Sequence, residues 1–131
     1  MVVDSSAVLA IVLEEPENLR LAAAINADDA RLISTVNLFE VLMVIESRKG
    51  PQWVTNATAL LNRWAIRHVS FDSEHVYEAQ TAWRRFGKGR HPAGLSMGDC
   101  AAYATAILAD QPLLFKGDDF TKTGIASVAW R

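Results

Sequence analysis

Residues 1–13 read MVVDSSAVLAIVL. The β-branched run from Met1 to Asp4 predicts a short strand ending on a carboxylate, Ser5-Ser6 predict a turn and helix cap, and Ala7 to Leu13 predict a helix. Strand then helix recurs along the rest of the chain. Pro16 suits the first turn of a helix running through about Asn26, and Arg31 to Ser34 predicts a second strand. A helix from about Val36 to Arg48 is closed by Lys49-Gly50-Pro51. The spacing of Trp53, Ala57, Leu60, Leu61 and Trp64 predicts another helix over Gln52 to about Arg67, and His68 to Phe71 reads as a third strand. Asp72 or Ser73 caps a helix through Phe86, and the three glycines and one proline in Gly87 to Gly94 mark a loop. Ser96 opens a helix ending near Ala109-Asp110, Pro112 leads into a strand Leu113 to Phe115, and a last short strand is expected over Ser127 to Trp130. Strands separated by helices predict an α/β domain with a parallel sheet, and no linker, repeat or low-complexity tract divides the chain.

Four carboxylate-bearing segments punctuate this pattern: Val2-Val3-Asp4, Leu38-Phe39-Glu40-Val41-Leu42, Met97-Gly98-Asp99-Cys100-Ala101 and Gly117-Asp118-Asp119-Phe120. In the first three, an acid sits within or beside an apolar run, where a lone buried charge costs several kcal/mol unless it is paired or binds a metal. Seven of the eight residues from Leu38 to Ile45 are apolar, so that helix is expected to be buried nearly all round, with Glu40 inside. Helix capping explains each acid singly. Asn37-x-x-Glu40 and Ser96-x-x-Asp99 both fit a capping box, and Asp118-Asp119 fit a turn before a short helix. A single carboxylate cluster explains all four together. In a parallel sheet, ligands bind beyond the carboxyl ends of the strands where the strand order reverses, and Asp4 and Asp118-Asp119 follow strand ends. Three or four acids without histidines suit a hard cation such as Mg²⁺ or Mn²⁺, which relieves their mutual repulsion and can activate water for phosphodiester hydrolysis.

The composition is consistent with a small enzyme. The chain has 131 residues, half of them hydrophobic, and a formal charge of −2. With a pI near 5.9, it does not have the basic surface of a protein that grips nucleic acid on all sides. Cys100 is the only cysteine, which excludes an intrachain disulfide and a cysteine-based zinc cluster and fits a reducing cytoplasm. The first residues lack a basic leader, and Glu14, Glu15 and Pro16 interrupt their apolar run, so neither a signal peptide nor a membrane span is expected.

Asp4-x-Ser6, a helical Glu40, Gly98-Asp99-Cys100 opening an Ala-rich helix, and Leu114-Phe115-Lys116-Gly117-Asp118-Asp119-Phe120 occur in an order that resembles the PIN-domain ribonucleases, particularly the VapC-type toxins of bacterial toxin-antitoxin pairs. GKGRHPAGLSMGD, residues 87–99, strengthens the likeness, which spans essentially the whole chain. The resemblance implies one PIN-like α/β/α domain over residues 1–131 and a metal-dependent endoribonuclease using Mg²⁺ or Mn²⁺. It implies Asp4 and Asp99 as direct ligands, Glu40 as ligand or water-orienting group, and Asp119, or else its neighbour Asp118, as the fourth acid. By the same resemblance Ser6 is a candidate to hydrogen-bond a carboxylate or metal water, with helix capping as its alternative, and Thr121 and Thr123 resemble family positions near the site. Gly124 departs from the family's pattern, in which an acid often follows the threonine. A VapB-like antitoxin and a homodimer are the implied partners.

Arg84, Arg85, Lys88, Arg90 and His91 concentrate positive charge at a helix end and its glycine-rich loop. They are candidates to hold RNA phosphates, although basic residues at a helix C-terminus also answer its dipole. Trp53, Trp64 and Trp83 fall at helical positions suited to core or interface. Two other readings compete: a receiver-type signalling domain with an acidic Mg²⁺ pocket, and a PIN-like module that binds antitoxin or RNA without cutting. The receiver reading lacks adjacent acids after the first strand.

Overall fold

Side chains in the central sheet alternate between two layers of helices. Val2, Leu32 and Leu113 face one layer, and Val3, Ile33 and Leu114 face the other. The structure, a computed structural model, describes residues 1–131. In chain order its elements are β1 (Val2–Val3), α1 (Ser5–Val12), α2 (Asn18–Asn26), β2 (Leu32–Ser34), α3 (Thr35–Lys49), α4 (Pro51–Arg63), β3 (Arg67–Val69), α5 (Ser73–Phe86), α6 (Met97–Ala109) and β4 (Leu113–Leu114). The strand order is β3-β2-β1-β4, and every pairing is parallel. Helices α1 to α4 pack over Val3, Ile33 and Leu114, while α5 and α6 cover Val2, Leu32 and Leu113. This is the expected three-layer α/β/α arrangement. Ile33, on β2, is fully buried against the layer formed by α1 to α4. Ile33→Ala is expected to cost about 2–5 kcal/mol of stability, measured by urea unfolding.

Several expected boundaries shift for local reasons. Helix α4 stops at Arg63 instead of continuing to Arg67, because Ala65 turns left-handed at φ 50°. Ile66 N then donates to Leu61 O at 3.2 Å and Ala65 N to Asn62 O at 2.9 Å, the paired bonds of a Schellman turn. The third strand is therefore Arg67–Val69, earlier than His68 to Phe71. At the chain's end, the expected strand over Ser127 to Trp130 reduces to one parallel bridge between Ser127 and Leu113.

Helix α3 also departs from expectation. Its buried positions are Asn37, Val41 and Ile45, one face at a spacing of four, while Phe39 is 67% exposed and Met43 52%. It is apolar on both sides and covered on one. By contrast, α1 is absorbed into the core through Ala7, Val8, Ala10 and Val12. No helix is long and apolar enough to cross a membrane.

Candidate active site

The chain passes from β1 to β2 on one side of the sheet and later from β3 across to β4 on the other. The reversal places the carboxyl end of β1 at a crevice between the ends of β2 and β4. Asp4 stands there, 2% exposed. Its backbone N–H donates to Leu114 O at 2.9 Å, fixing it to β4. Oδ2 caps α1 by accepting from Ser6 N at 3.0 Å and from Ser6 Oγ at 2.5 Å. Ser6 Oγ in turn accepts from Lys116 N at 3.0 Å, tying the chain two residues past β4 to the same corner. Ser6 is thus a direct support of Asp4.

Burial is the main reason that the Asp4 carboxyl is pushed up to about 7; Ser6 opposes the shift, and the charges of Asp99 and Glu40 add to it. That mutual repulsion places Asp4, Glu40 and Asp99 in one electrostatic cluster, although they come from three different elements.

Glu40 reaches the cluster from α3. Ser34, not Asn37, caps this helix by accepting from Val36 N at 3.2 Å, so the Asn37-x-x-Glu40 capping box does not form. Glu40 is half-buried, and its Oε1 accepts a short hydrogen bond from Ser5 Oγ. Gly98 makes room for it: a Cβ there would lie 2.8 Å from Glu40 Oε1 and 3.0 Å from Oε2. Asp99 does close a capping box, with Ser96 N donating to its Oδ2 at 2.9 Å and Asp99 N donating to Ser96 Oγ at 3.2 Å. Capping and membership of the cluster are compatible, because each cap engages one carboxylate oxygen. Glu40 Oε2 and Asp99 Oδ1 take no hydrogen bond within the chain, and Asp4 Oδ1 has only a 3.5 Å contact from Asn37 Nδ2.

The fourth segment is a turn anchored by Phe115 and Phe120, both buried with ring centroids 5.0 Å apart. Their tilted contact pins the two ends of the turn, with Asp118 and Asp119 exposed between them. Burial, and then the charges of Asp99 and Asp118, raise the Asp119 carboxyl above its ordinary range, although the residue is exposed. Asp118 has an 86% exposed side chain and lies 3.7 Å from Arg131. No helix follows them. Thr121 Oγ1 donates to Asp118 O at 2.6 Å and Thr123 Oγ1 to Phe120 O at 2.7 Å, so both threonines fasten the turn and neither meets an acid. Gly124 has φ 75°, a left-handed conformation that glycine adopts without strain.

As the side chains stand, no three of the acids, cysteines and histidines are arranged to hold one ion. The donor set nonetheless suits a hard cation: carboxylate oxygens in a partly desolvated cluster, each principal acid keeping one oxygen clear of strong bonds.

The basic residues lie at the end of α5. Arg85 packs over Phe86 at 4.8 Å, and Arg90 over Trp83 at 4.5 Å. His91 Nδ1 accepts from Ala93 N at 3.0 Å, and its ring meets Phe86 edge-on, so it braces the loop. Arg84 and Lys88 are exposed. Lys88 lines a groove of about 690 Å³ with Trp83, Val76 and Phe71 that reaches Ser96 and Met97, the start of the helix bearing Asp99. Trp64 is core and Trp53 packs against it, leaving Trp83 as the exposed tryptophan of the three.

Ser5 and Asn37 were not among the residues expected here. Ser5 is the variable position of Asp4-x-Ser6, and Asn37 resembles a cap; only the folded geometry shows that each faces an acid.

The PIN domain family model matches residues 1–126. A VapC ribonuclease of Mycobacterium bovis and ribonuclease VapC30 of Mycobacterium tuberculosis are each 44% identical over 129 residues, covering 98% of both chains. A ribonuclease VapC of Mycolicibacterium smegmatis is 43% identical over 98% of this chain and 99% of its own. Among solved structures, Mycobacterium tuberculosis VapC20, described as a Sarcin-Ricin loop cleaving toxin, superposes with a TM-score of 0.80 at 16% identity, covering 97% of each chain. The VapBC2 structure from Rickettsia felis, bound to a promoter DNA fragment, gives 0.77 at 12% identity, covering 99% of this chain and 98% of its own. The chain belongs to the PIN-domain family, in the branch of the VapC ribonucleases.

Proposed function

We propose that this chain, acting as one domain in the cytoplasm, is the RNA-cleaving toxin of a toxin-antitoxin pair and that Asp4, Glu40 and Asp99 bind Mg²⁺ or Mn²⁺. The observation that carries the reading is the meeting of three elements at the switch point: Ser5, next to Asp4, donates to Glu40, and Gly98, next to Asp99, packs against the Glu40 carboxylate, while burial above all raises Asp4. When bound, such an ion supplies a water of lowered pKa and stabilises charge on the phosphate oxygens. The chain's own task is to present acids in fixed orientation. Ser6 holds Asp4, Ser5 holds Glu40 and the Ser96 amide holds Asp99, with Asp119 extending the negative field on the β4 side. Arg84, Arg85, Lys88 and Arg90 attract the RNA backbone toward the groove, with His91 keeping their loop in shape.

The exposed apolar residues of α3, Phe39 and Met43, support a covering partner, as does the groove beside Trp83. A second copy of the chain and a VapB-like antitoxin are the partners in this reading. The test uses purified, antitoxin-free protein and total RNA. Cleavage is expected with Mg²⁺ or Mn²⁺, to vanish in EDTA and to return on adding either ion; undiminished cleavage in EDTA would overturn the metal-dependent reading. Sequencing the 5′ ends of the fragments identifies the RNA cut.

A further inference from the structure

We propose that Asn37 is a positioning residue that aligns the metal-binding acids through its side-chain amide, an inference that rests on Asp4, Glu40 and Asp99 being those acids. Asn37 occupies the buried face of α3 with Val41 and Ile45, and none of its surface is exposed. An apolar residue is the ordinary choice at such a position. Its Oδ1 is buried with no hydrogen-bond partner, a desolvation cost that a side chain kept for stability alone would not carry.

What Asn37 does have is contact with all three parts of the site. Its Nδ2 donates to Gly98 O at 3.0 Å, and lies 3.4 Å from Ser5 Oγ and 3.5 Å from Asp4 Oδ1. Gly98 immediately precedes Asp99, Ser5 immediately follows Asp4, and Asn37 itself lies one turn before Glu40. One amide therefore joins the β1–α1 corner, α3 and the start of α6, each of which delivers an acid. The contact with Ser5 also has a direction. A hydroxyl has a single proton, and Ser5 Oγ, accepting from Asn37, turns that proton toward Glu40 Oε1. Asn37 thereby orients Glu40 through Ser5 and restrains Asp99 through the Gly98 carbonyl.

Partners of metal-binding carboxylates typically change metal affinity or activity by about 10–100-fold when removed. The test measures Mn²⁺ affinity by electron paramagnetic resonance on RNA-free protein, alongside thermal unfolding. Asn37→Ala and Ser5→Ala are each expected to weaken Mn²⁺ binding by at least about tenfold. The double variant should lose less than the product of the two, because both act on Glu40 through one relay. Asn37→Val fills most of the vacated volume without a donor and is expected to weaken Mn²⁺ binding as much as Asn37→Ala, which separates positioning from packing and serves if the alanine variant does not fold. Mn²⁺ affinity within twofold of wild type in a folded Asn37→Val protein would overturn the proposal alone. Failure of the wild-type protein to bind Mn²⁺ would overturn the reading of the acids and this inference with it.

Discussion

Asp4→Asn is expected to abolish RNA cleavage while making the metal-free protein more stable at pH 8. Both effects arise from the same carboxyl, 2% exposed and raised to about 7. In the unfolded chain an aspartate titrates near 3.9. Between that value and about 7, the folded protein holds a proton that the unfolded chain has released, so stability falls as pH rises through the interval and levels off above it. The full loss is on the order of 4 kcal/mol. Asparagine does not ionise and can still accept from Ser6 N, so it preserves the cap and removes the pH-dependent loss. Urea unfolding in EDTA at pH 5 and pH 8 should therefore show a stability drop for wild type that is much smaller for Asp4→Asn. Adding Mn²⁺ at pH 8 should recover stability in wild type and not in the variant, since a ligand that binds only the folded state stabilises by mass action. Cleavage by Asp4→Asn at the wild-type rate would refute the role given to this residue.

Gly98→Ala is expected to reduce cleavage by about a hundredfold with little change in stability. The added methyl would lie 2.8 Å from Glu40 Oε1 and 3.2 Å from its Cδ, closer than carbon and oxygen pack. The obstructing atoms are the tip of a flexible side chain, so Glu40 can swing aside without opening the α3–α6 seam. Alanine at a helical position also favours the helix over glycine by nearly 1 kcal/mol. What changes is the orientation of the carboxylate and its bond to Ser5. A melting temperature near wild type, paired with impaired cleavage, identifies this displacement; wild-type cleavage rates exclude it.

The parallel α/β architecture is legible from the amino-acid order because each short apolar run is followed by a helix of clear periodicity. Asp72 capping α5 and Ser96 capping α6 are equally legible, since both caps use ordinary polar side chains. Helix ends are harder. Glu14, Ala65 and Asp110 all adopt positive φ at the ends of α1, α4 and α6 without the glycine that usually announces such a turn. The extended reach given to α4 follows from that missing signal. Glu40 is recognisable as an acid in an apolar helix, yet the room for its carboxylate is made far along the chain at Gly98, beyond the reach of local pattern. The exposure of Asp118 and its approach to Arg131 are likewise set by the folded turn and the chain's last residue, which no local pattern around Gly117 announces.

The position of β1 has a consequence for biosynthesis. It is the first strand made and lies between β2 and β4, the last of which begins at Leu113. Asp4 N bonds to Leu114 O, and Ser6 Oγ accepts from Lys116 N, so the seat of Asp4 is unfinished until those residues have left the ribosome. A growing chain that has exposed only its first hundred residues has synthesised Asp4, Glu40 and Asp99 but lacks the strand that fixes Asp4 between its neighbours. The corner around Asp4 therefore closes only when the segment from Leu113 to Lys116 is available to pair with β1 and Ser6, however early the acids themselves are made.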